Sequence, residues 1–289
     1  MTAIQFETPK SVDDAVAVLA KANGDARVLA GGTDLLVQMR SGHVRPGLVV
    51  DVKDISEMRS IEKTSDGFIV GASVSGAELG EHAELKATWP GVVEAMELVG
   101  STQIQGRASL GGNLCNGSPA ADSVPAMIAA GGICLIAGPD GRREAPVEDI
   151  VTGPGKTSLS KGEIVVAFRF PTRPAKSGDA YLRFIPRTEM DIAVVGVGVS
   201  LTLDDGGTCT AARVGLGAVA PTPLLVADAA DALIGTKIDH AALDALAAAA
   251  SAACNPIDDK RGTIEYRTQV AGVLARRVAQ IAVDRARST

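Results

Sequence analysis

The segment LAGGTDLL, residues 29–36, has the composition of a tight turn between a strand and a helix. The apolar residues Val28 and Leu29 predict the end of a short buried strand. Gly31 and Gly32 follow, and glycine adopts the positive φ angles that other residues avoid. The segment therefore predicts a strand, a glycine turn and a helix in succession.

The helix after this first turn can be capped by Thr33 or Asp34 and begins near Leu35. The first amides of a helix have no partner within the helix, so several N–H groups are directed toward one point. Such amides bind anionic oxygens without the help of a lysine. The first turn is thus a candidate phosphate site.

A second glycine segment, RASLGGNLCNG, occupies residues 107–117. Gly111 and Gly112 repeat the turn, and Ser109 and Asn113 beside them can add a hydroxyl and a carboxamide to the backbone donors. Either segment alone could be an ordinary turn. Together they have the donors that a pyrophosphate requires.

Five segments carry a resemblance to a known family. They are AGGTDLL (30–36), SLGGN (109–113), SPAADSVP (118–125), EIVVAFRFP (163–171) and YRTQVAGVLARRV (266–278). Together they resemble the FAD-binding medium subunit of the molybdenum hydroxylases, a family that includes aerobic carbon monoxide dehydrogenase and the flavin domain of xanthine dehydrogenase. The resemblance covers essentially the whole chain.

The resemblance implies FAD as the cofactor, bound by residues of both turns and by several others. These residues are Leu29, Ala30, Gly31, Gly32, Thr33, Asp34, Leu35, Thr102, Ser109, Leu110, Gly111, Gly112, Asn113, Asp122, Ile164 and Arg183. Asp122 could instead be a helix N-cap, and Arg183 could be an exposed strand residue. No residue of the chain is assigned a catalytic role.

Some positions differ from the family pattern. Gln105 stands where relatives carry arginine, which removes a positive charge that Arg107 could replace. In the first turn, the sequence Thr33-Asp34 is similar to that of relatives that act on organic substrates. The corresponding turn of carbon monoxide dehydrogenase resembles the sequence Ala-Gly-Gly-His-Ser. This difference favours an organic substrate.

The resemblance also implies a function in electron transfer and two partners. The partners are a large molybdopterin-binding subunit, where substrate is hydroxylated, and a small subunit with two [2Fe-2S] clusters, assembled as a dimer of heterotrimers. Two alternatives stay open: an autonomous FAD-dependent oxidase or reductase of the same fold, and a non-catalytic nucleotide-binding module.

Composition and sequence pattern argue against several other classes of protein. The 289 residues have a net charge of −6 without a basic stripe, so nucleic acid is not an expected partner. We find no apolar run of about twenty residues and no secretory signal, which predicts a cytoplasmic protein without a transmembrane segment. The four cysteines and three histidines are scattered, so no metal site is expected.

The order of predicted elements indicates an α+β fold. We expect a two-subdomain FAD-binding fold of the vanillyl-alcohol-oxidase (PCMH-like) type and a C-terminal domain with an antiparallel sheet and three helices. The predicted domains are residues 1–57, 58–172 and 178–289, with a Pro-rich linker at 171–178. Two motif matches are rejected: GPGKTS (153–158) is a loop, and VGVGVSL (195–201) is a strand.

Overall fold

The first part of the described chain contains a parallel three-stranded sheet with the strand order β1-β3-β2. The computed structural model describes residues 4–22 and 24–288, so residues 1–3 of the predicted first domain, Asn23 and Thr289 lie outside the described residues. The elements of this part are β1 (Gln5–Glu7), α1 (Val12–Lys21), β2 (Ala26–Leu29), α2 (Leu35–Arg40) and β3 (Leu48–Asp51).

Helix α1 illustrates why these residues fold locally as they do. The Ser11 hydroxyl accepts a hydrogen bond from the Asp14 amide at 3.1 Å and caps the first turn. The apolar side chains of α1 recur at helical spacing and are buried; they are Val12, Ala15, Val16 and Leu19. They join the same core as the next sheet.

An antiparallel five-stranded sheet follows, in the order β4-β5-β10-β6-β7. Its strands are β4 (Ile61–Thr64), β5 (Gly67–Gly71), β6 (Ile133–Gly138), β7 (Gly141–Pro146) and β10 (Ile164–Pro171), and the hairpin of β8 (Val151–Gly153) and β9 (Lys156–Thr157) precedes β10. Two short 3-10 helices lie at Ser56–Met58 and Val147–Asp149. Phe168 and Phe170 of the central strand are fully buried in the core.

Helices fill the long connection between β5 and β6. They are α3 (Gly76–Glu81), α4 (Ala83–Thr88), α5 (Pro90–Glu97), α6 (Thr102–Gln105), α7 (Leu110–Cys115) and α8 (Ser123–Ala129). The second glycine segment lies between α6 and α8, and its Gly111 and Gly112 lie inside the first turn of α7. None of the described helices of the chain has both the length and the apolar surface needed to cross a membrane.

The remaining chain forms an antiparallel meander with helices packed on it. Its strands are β11 (Ser177–Phe184), β12 (Val195–Leu203), β13 (Cys209–Gly217) and β14 (Leu224–Leu225), and its helices are α9 (Ala227–Asp231), α10 (His240–Ala252) and α11 (Ile264–Ser288). The predicted antiparallel sheet is confirmed, because β12 pairs antiparallel with both β11 and β13. The motif at 195–201 is a strand, as predicted.

The predicted linker at 171–178 is too long at both ends. Pro171 still pairs within β10, and Ser177 and Gly178 pair with β12. Gly178 serves close packing, since a Cβ there would lie 1.9 Å from the carbonyl oxygen of Ala282 in α11. The composition that suggests a flexible connection thus partly reflects a tight contact between a helix and a sheet.

Helix α8 directly precedes β6 of the antiparallel five-stranded sheet, and it packs on β12 and β13 of the meander. It therefore joins the sheet to the meander. A second contact is made at the end of α11, where Arg285 pairs with Glu94 of α5 and donates to the carbonyl of Asp179 at 2.7 Å. Asp179 is itself buried and pairs with Arg173 at 2.8 Å. These contacts hold α11 and β11 against α5.

Candidate functional site

The two glycine turns meet at one cleft of about 530 Å³. Eleven of the sixteen candidate residues line it: Ala30, Gly31, Gly32, Thr33, Asp34, Leu35, Ser109, Gly111, Gly112, Asn113 and Ile164. Segments that are almost eighty residues apart therefore share one concave surface, as a single ligand between both turns would require.

Gly31 brings the two turns together. A Cβ on Gly31 would lie 1.8 Å from the backbone oxygen of Arg107, so only glycine allows the first turn to approach the second segment. Gly32 has φ +77°, whereas Gly31 is not in the left-handed region. The expectation of positive φ is thus correct for Gly32 and wrong for Gly31.

The first turn has unpaired backbone donors in residues that line the cleft. In the described part of the chain, the amides of Gly32, Thr33 and Asp34 have no protein acceptor, as expected for a helix start. Asp34 occupies the N-cap position of α2, but its side chain makes no capping hydrogen bond, which corrects the predicted cap. The concave walls around this carboxyl partly exclude water, and this burial raises its pKa.

The second turn is built differently from the first. The Gly111 amide donates to the Ala72 carbonyl at 3.1 Å, and the Gly112 amide donates to the Ser109 hydroxyl oxygen at 3.1 Å. The Asn113 amide donates to the Ser109 carbonyl at 2.9 Å. The expected set of free amides is therefore wrong here, because the glycines lie within α7 and are already hydrogen-bonded.

Side chains supply the donors of the second turn instead. The Asn113 Oδ1 atom accepts from the Ser123 amide at 3.1 Å and from the Ser123 hydroxyl at 2.7 Å, which leaves the carboxamide NH₂ to donate. The Ser109 oxygen accepts from Gly112, and its O–H can also donate. Free amides on one wall with a hydroxyl and a carboxamide on the other fit the diphosphate of FAD.

Five candidate residues lie off the cleft walls: Leu29, Thr102, Leu110, Asp122 and Arg183. Leu29 and Leu110 are buried in the protein core, and Thr102 is exposed at the start of α6. Val28, expected to be buried, is 39% exposed and lines the cleft. Contact of the five with a cofactor stays a prediction.

Asp122 and Arg183 form a buried ion pair. Arg183 Nη1 donates to Asp122 Oδ2 at 2.7 Å, and the Tyr181 hydroxyl donates to Asp122 Oδ1 at 3.1 Å. Asp122 stands at the N-cap position of α8 without a capping bond, and only 5% of the Arg183 side chain is exposed. Neither the cap nor the exposed arginine is therefore correct. Burial outweighs the Arg183 charge and raises the pKa of Asp122 to about 6.

This cluster predicts a pH-dependent stability. The folded chain holds the Asp122 proton more tightly than the unfolded chain, whose pKa is near 3.8, so the contribution of Asp122 falls as pH rises from about 4 to 6. Asp122→Asn should remove up to about 3 kcal/mol of this change in unfolding free energy. Denaturant unfolding of both proteins across this range checks it. If unfolding free energy depends on pH in the same way in both proteins, this prediction is contradicted. The pKa of Asp179 is similarly raised, but both proteins contain Asp179, so its effect cancels in the comparison.

Several residues that line the cleft were not predicted from the sequence. Gly155 and Thr157 belong to the rejected GPGKTS segment, which forms the β8–β9 hairpin and not a plain loop. The Gly155 amide donates to the Gly117 carbonyl at 2.9 Å and holds this hairpin against the second glycine segment. Only this long-range pairing places the segment at the site, so no local pattern could have revealed it.

Two ionisable cleft residues are poor candidates for acid–base chemistry. Glu163 makes a double ion pair with Arg143, with distances of 2.6 and 2.7 Å, and the hydrogen bonds from Arg143 lower its pKa. Cys115 has surface exposed to the cleft, but the surrounding walls remove water and raise the pKa of its thiol to about 12. Cys115 is therefore a protonated thiol at neutral pH.

Arg107 does not replace, in the cleft, the arginine that this chain lacks at position 105; the arginine that does line the cleft is Arg27 of β2. Gln105 donates through Nε2 to the Glu97 carbonyl and closes the end of α5. The Arg107 side chain is exposed and does not line the cleft, although its backbone oxygen contacts Gly31. Among the described residues, no group of His, Cys, Asp and Glu is placed to hold a metal ion.

Comparison with protein families gives two matches along the chain. Residues 2–173 match the FAD binding domain in molybdopterin dehydrogenase, and residues 180–282 match the CO dehydrogenase flavoprotein C-terminal domain. Together the two families account for almost the entire sequence.

Individual relatives match along almost their whole length. The carbon monoxide dehydrogenase medium chain of Afipia carboxidovorans is 36% identical, with 98% of both chains aligned. The xanthine dehydrogenase FAD-binding subunit of Escherichia coli O157:H7 is 31% identical over 96% of this chain and 95% of that one. A chain of reconstituted CO dehydrogenase from Oligotropha carboxidovorans superimposes with a TM-score of 0.94 at 35% identity, with 98% of both chains covered.

Proposed function

The chain belongs to the family of FAD-binding subunits of molybdopterin dehydrogenases, and from this premise we propose that it passes electrons from the [2Fe-2S] clusters of a partner subunit to an external acceptor. It is an oxidoreductase subunit with FAD as its cofactor. When bound, FAD supplies the ability to accept electrons singly and to release them as a pair.

One observation carries the proposal: both glycine turns line one cleft, and their donors suit a diphosphate. The amides of Gly32, Thr33 and Asp34 would hold one side of it, and the Ser109 hydroxyl and the Asn113 carboxamide the other. We propose that Ile164 packs against the cofactor from the wall of β10. A site made of binding groups fits a relay that leaves substrate chemistry to a partner.

The partners are part of the proposal. Two relatives are named as the medium chain of carbon monoxide dehydrogenase and as the FAD-binding subunit of xanthine dehydrogenase, so each is one component of a larger enzyme. We propose a large molybdopterin-binding subunit and a small subunit with two [2Fe-2S] clusters, assembled as a dimer of heterotrimers. The names of the two relatives contain different substrates, carbon monoxide and xanthine. The candidate substrates of the enzyme to which this chain would belong are therefore carbon monoxide, N-heterocycles, aldehydes and purines.

The finer features of the fold are also proposed. The parallel sheet and the antiparallel five-stranded sheet that flank the cleft support two FAD-binding subdomains of the PCMH-like type, at residues 1–57 and 58–172. The meander with α9, α10 and α11 supports a C-terminal domain at 178–289. A cytoplasmic location stays a prediction.

The isolated chain should bind FAD and yet fail as a substrate dehydrogenase. The cleft supplies binding groups, while Glu163 is held by Arg143 and the Cys115 thiol is protonated, so neither serves as a base. Under anaerobic conditions, aldehyde, purine, N-heterocycle and carbon monoxide substrates should leave the visible absorbance of the bound flavin unchanged.

The control is reduction by a chemical reductant, which should bleach the same sample and show that its flavin is competent. Addition of the large and small subunits should then allow bleaching by the native substrate. Rapid bleaching of the chain alone by one of these substrates would reject the relay and assign the chain a substrate chemistry of its own. A chain that binds no FAD would reject the site itself.

A further inference from the structure

A side-chain hydrogen bond links helix α2, after the first glycine turn, to the residue that caps the end of α7. Gln38 Nε2 in α2 donates to Asn116 Oδ1 at 2.9 Å, across 78 residues of sequence. Asn116 is the C-cap residue, directly after the last residue of α7. Both residues line the cleft, and both are half-buried. The bond therefore connects the two walls of the cofactor site directly.

Each partner of this bond is fixed to the glycine turn at the start of its own helix. The Gln38 amide donates to the Asp34 carbonyl at 2.9 Å, and the Asn116 amide donates to the Gly112 carbonyl at 3.0 Å. Asp34 and Gly112 are themselves residues of the turns and line the cleft. One helical turn thus separates each end of the Gln38–Asn116 bond from the donors proposed to hold the diphosphate.

The walls also touch at the close approach of Gly31 to the Arg107 carbonyl. One contact alone leaves two segments free to rotate about it, whereas a second contact restricts their relative motion. The Gln38–Asn116 bond supplies a second contact beside the close approach. Since neither side chain is charged, its effect does not depend on attraction to the phosphate groups.

We infer that Gln38 and Asn116 are positioning residues, whose mutual hydrogen bond sets the spacing of the two glycine turns before FAD binds. This inference rests on the proposed diphosphate site, but it assigns to these residues no contact with the cofactor. Loss of the bond leaves the turns free to separate, so binding must then order them, and affinity falls.

A double-mutant cycle on FAD affinity tests the bridge. The full chain is stripped of flavin, and its dissociation constant for FAD is measured by fluorescence titration for Gln38→Ala, Asn116→Ala and the double variant. Each single change should weaken binding by about threefold to tenfold, the range for loss of one net hydrogen bond. The double variant should be no weaker than the weaker single variant, because one bond is lost in all three.

Two further variants control for the helix itself. Gln38→Met keeps the length of the side chain without its donor and should weaken binding as Gln38→Ala does. Val37→Ala changes the neighbouring residue of α2, which is 64% exposed, and should leave FAD affinity unchanged.

The outcomes separate the bridge from direct contact. If the two single effects multiply in the double variant, each residue contacts FAD independently and the bridge is rejected. Unchanged affinity in both single variants also rejects it. Uptake of FAD by the unaltered chain tests the proposed function, whereas the comparison among variants tests the bridge, so the two can fail separately.

Discussion

Gly31→Ala is expected to abolish stable FAD binding. The added Cβ would lie 1.8 Å from the Arg107 oxygen, a backbone atom that cannot rotate away as a side chain does. The first turn must therefore move away from the second by more than an ångström, which separates the donors of the two walls. Such overpacking costs about 3 kcal/mol, equal to roughly a hundredfold in affinity. The purified variant should be colourless, and a titration with FAD measures the remaining affinity.

Gly106→Ala is the matched control for this change. Gly106 immediately precedes Arg107 and has φ −64°, and a Cβ there would approach only the Gln103 carbonyl, at an ordinary 3.7 Å. This variant should keep FAD. Gly112→Ala should be intermediate, since its Cβ would meet only the Ser109 hydroxyl oxygen at 3.3 Å. Stoichiometric FAD in Gly31→Ala would show that the close approach of the turns is not needed for binding.

The sequence could predict the two glycine turns that line the cleft, but not how the donors of each turn are arranged. Paired glycines beside hydroxyl and amide residues are a local pattern, so both turns are recognisable without the fold. Whether their amides are free depends on distant partners. The Gly111 amide donates to the carbonyl of Ala72, the residue directly after β5, and this contact cannot be read from the residues around Gly111.

The roles predicted for Asp122 and Arg183 were wrong for a similar reason, since the two side chains form a buried ion pair between distant parts of the chain. The residue before a helix is often its cap, and an arginine in a strand is often exposed, so local rules favour those roles. The fold instead brings β11 against the start of α8 and removes both side chains from water. The family resemblance named each of the two residues as a candidate for contact with FAD, but their pairing follows from packing between distant parts of the chain.

Glycines in a strand can look like a nucleotide motif when their cause is packing. Gly198 of β12 lies opposite Gly215 of β13 in the register, and Cβ atoms on them would fall 2.6 and 2.3 Å from the Pro125 carbonyl oxygen. Helix α8 therefore lies directly on the backbone of the meander at this point. The sequence reveals the strand, but only the structure explains why its glycines are required.

Gly198→Ala is expected to affect both stability and FAD binding, although Gly198 does not line the cleft. Its Cβ would push Pro125 and α8 away from the meander, at a cost of about 1 to 3 kcal/mol in unfolding free energy. The first residue of α8, Ser123, holds the Asn113 carboxamide through two hydrogen bonds. Displacement of α8 should therefore misplace a donor of the second turn. Denaturant unfolding and FAD titration measure the two effects.

Gly206→Ala, in the turn between β12 and β13, is the control for this variant. Its Cβ would meet the flexible end of Lys237 at 3.2 Å, so both stability and FAD affinity should be retained. In Gly198→Ala, a loss of stability with unchanged FAD affinity would mean that α8 does not position Asn113 for the cofactor. Coupled losses would mean that the packing of the meander on α8 helps to hold the second glycine turn, through Pro125, Ser123 and Asn113 in succession.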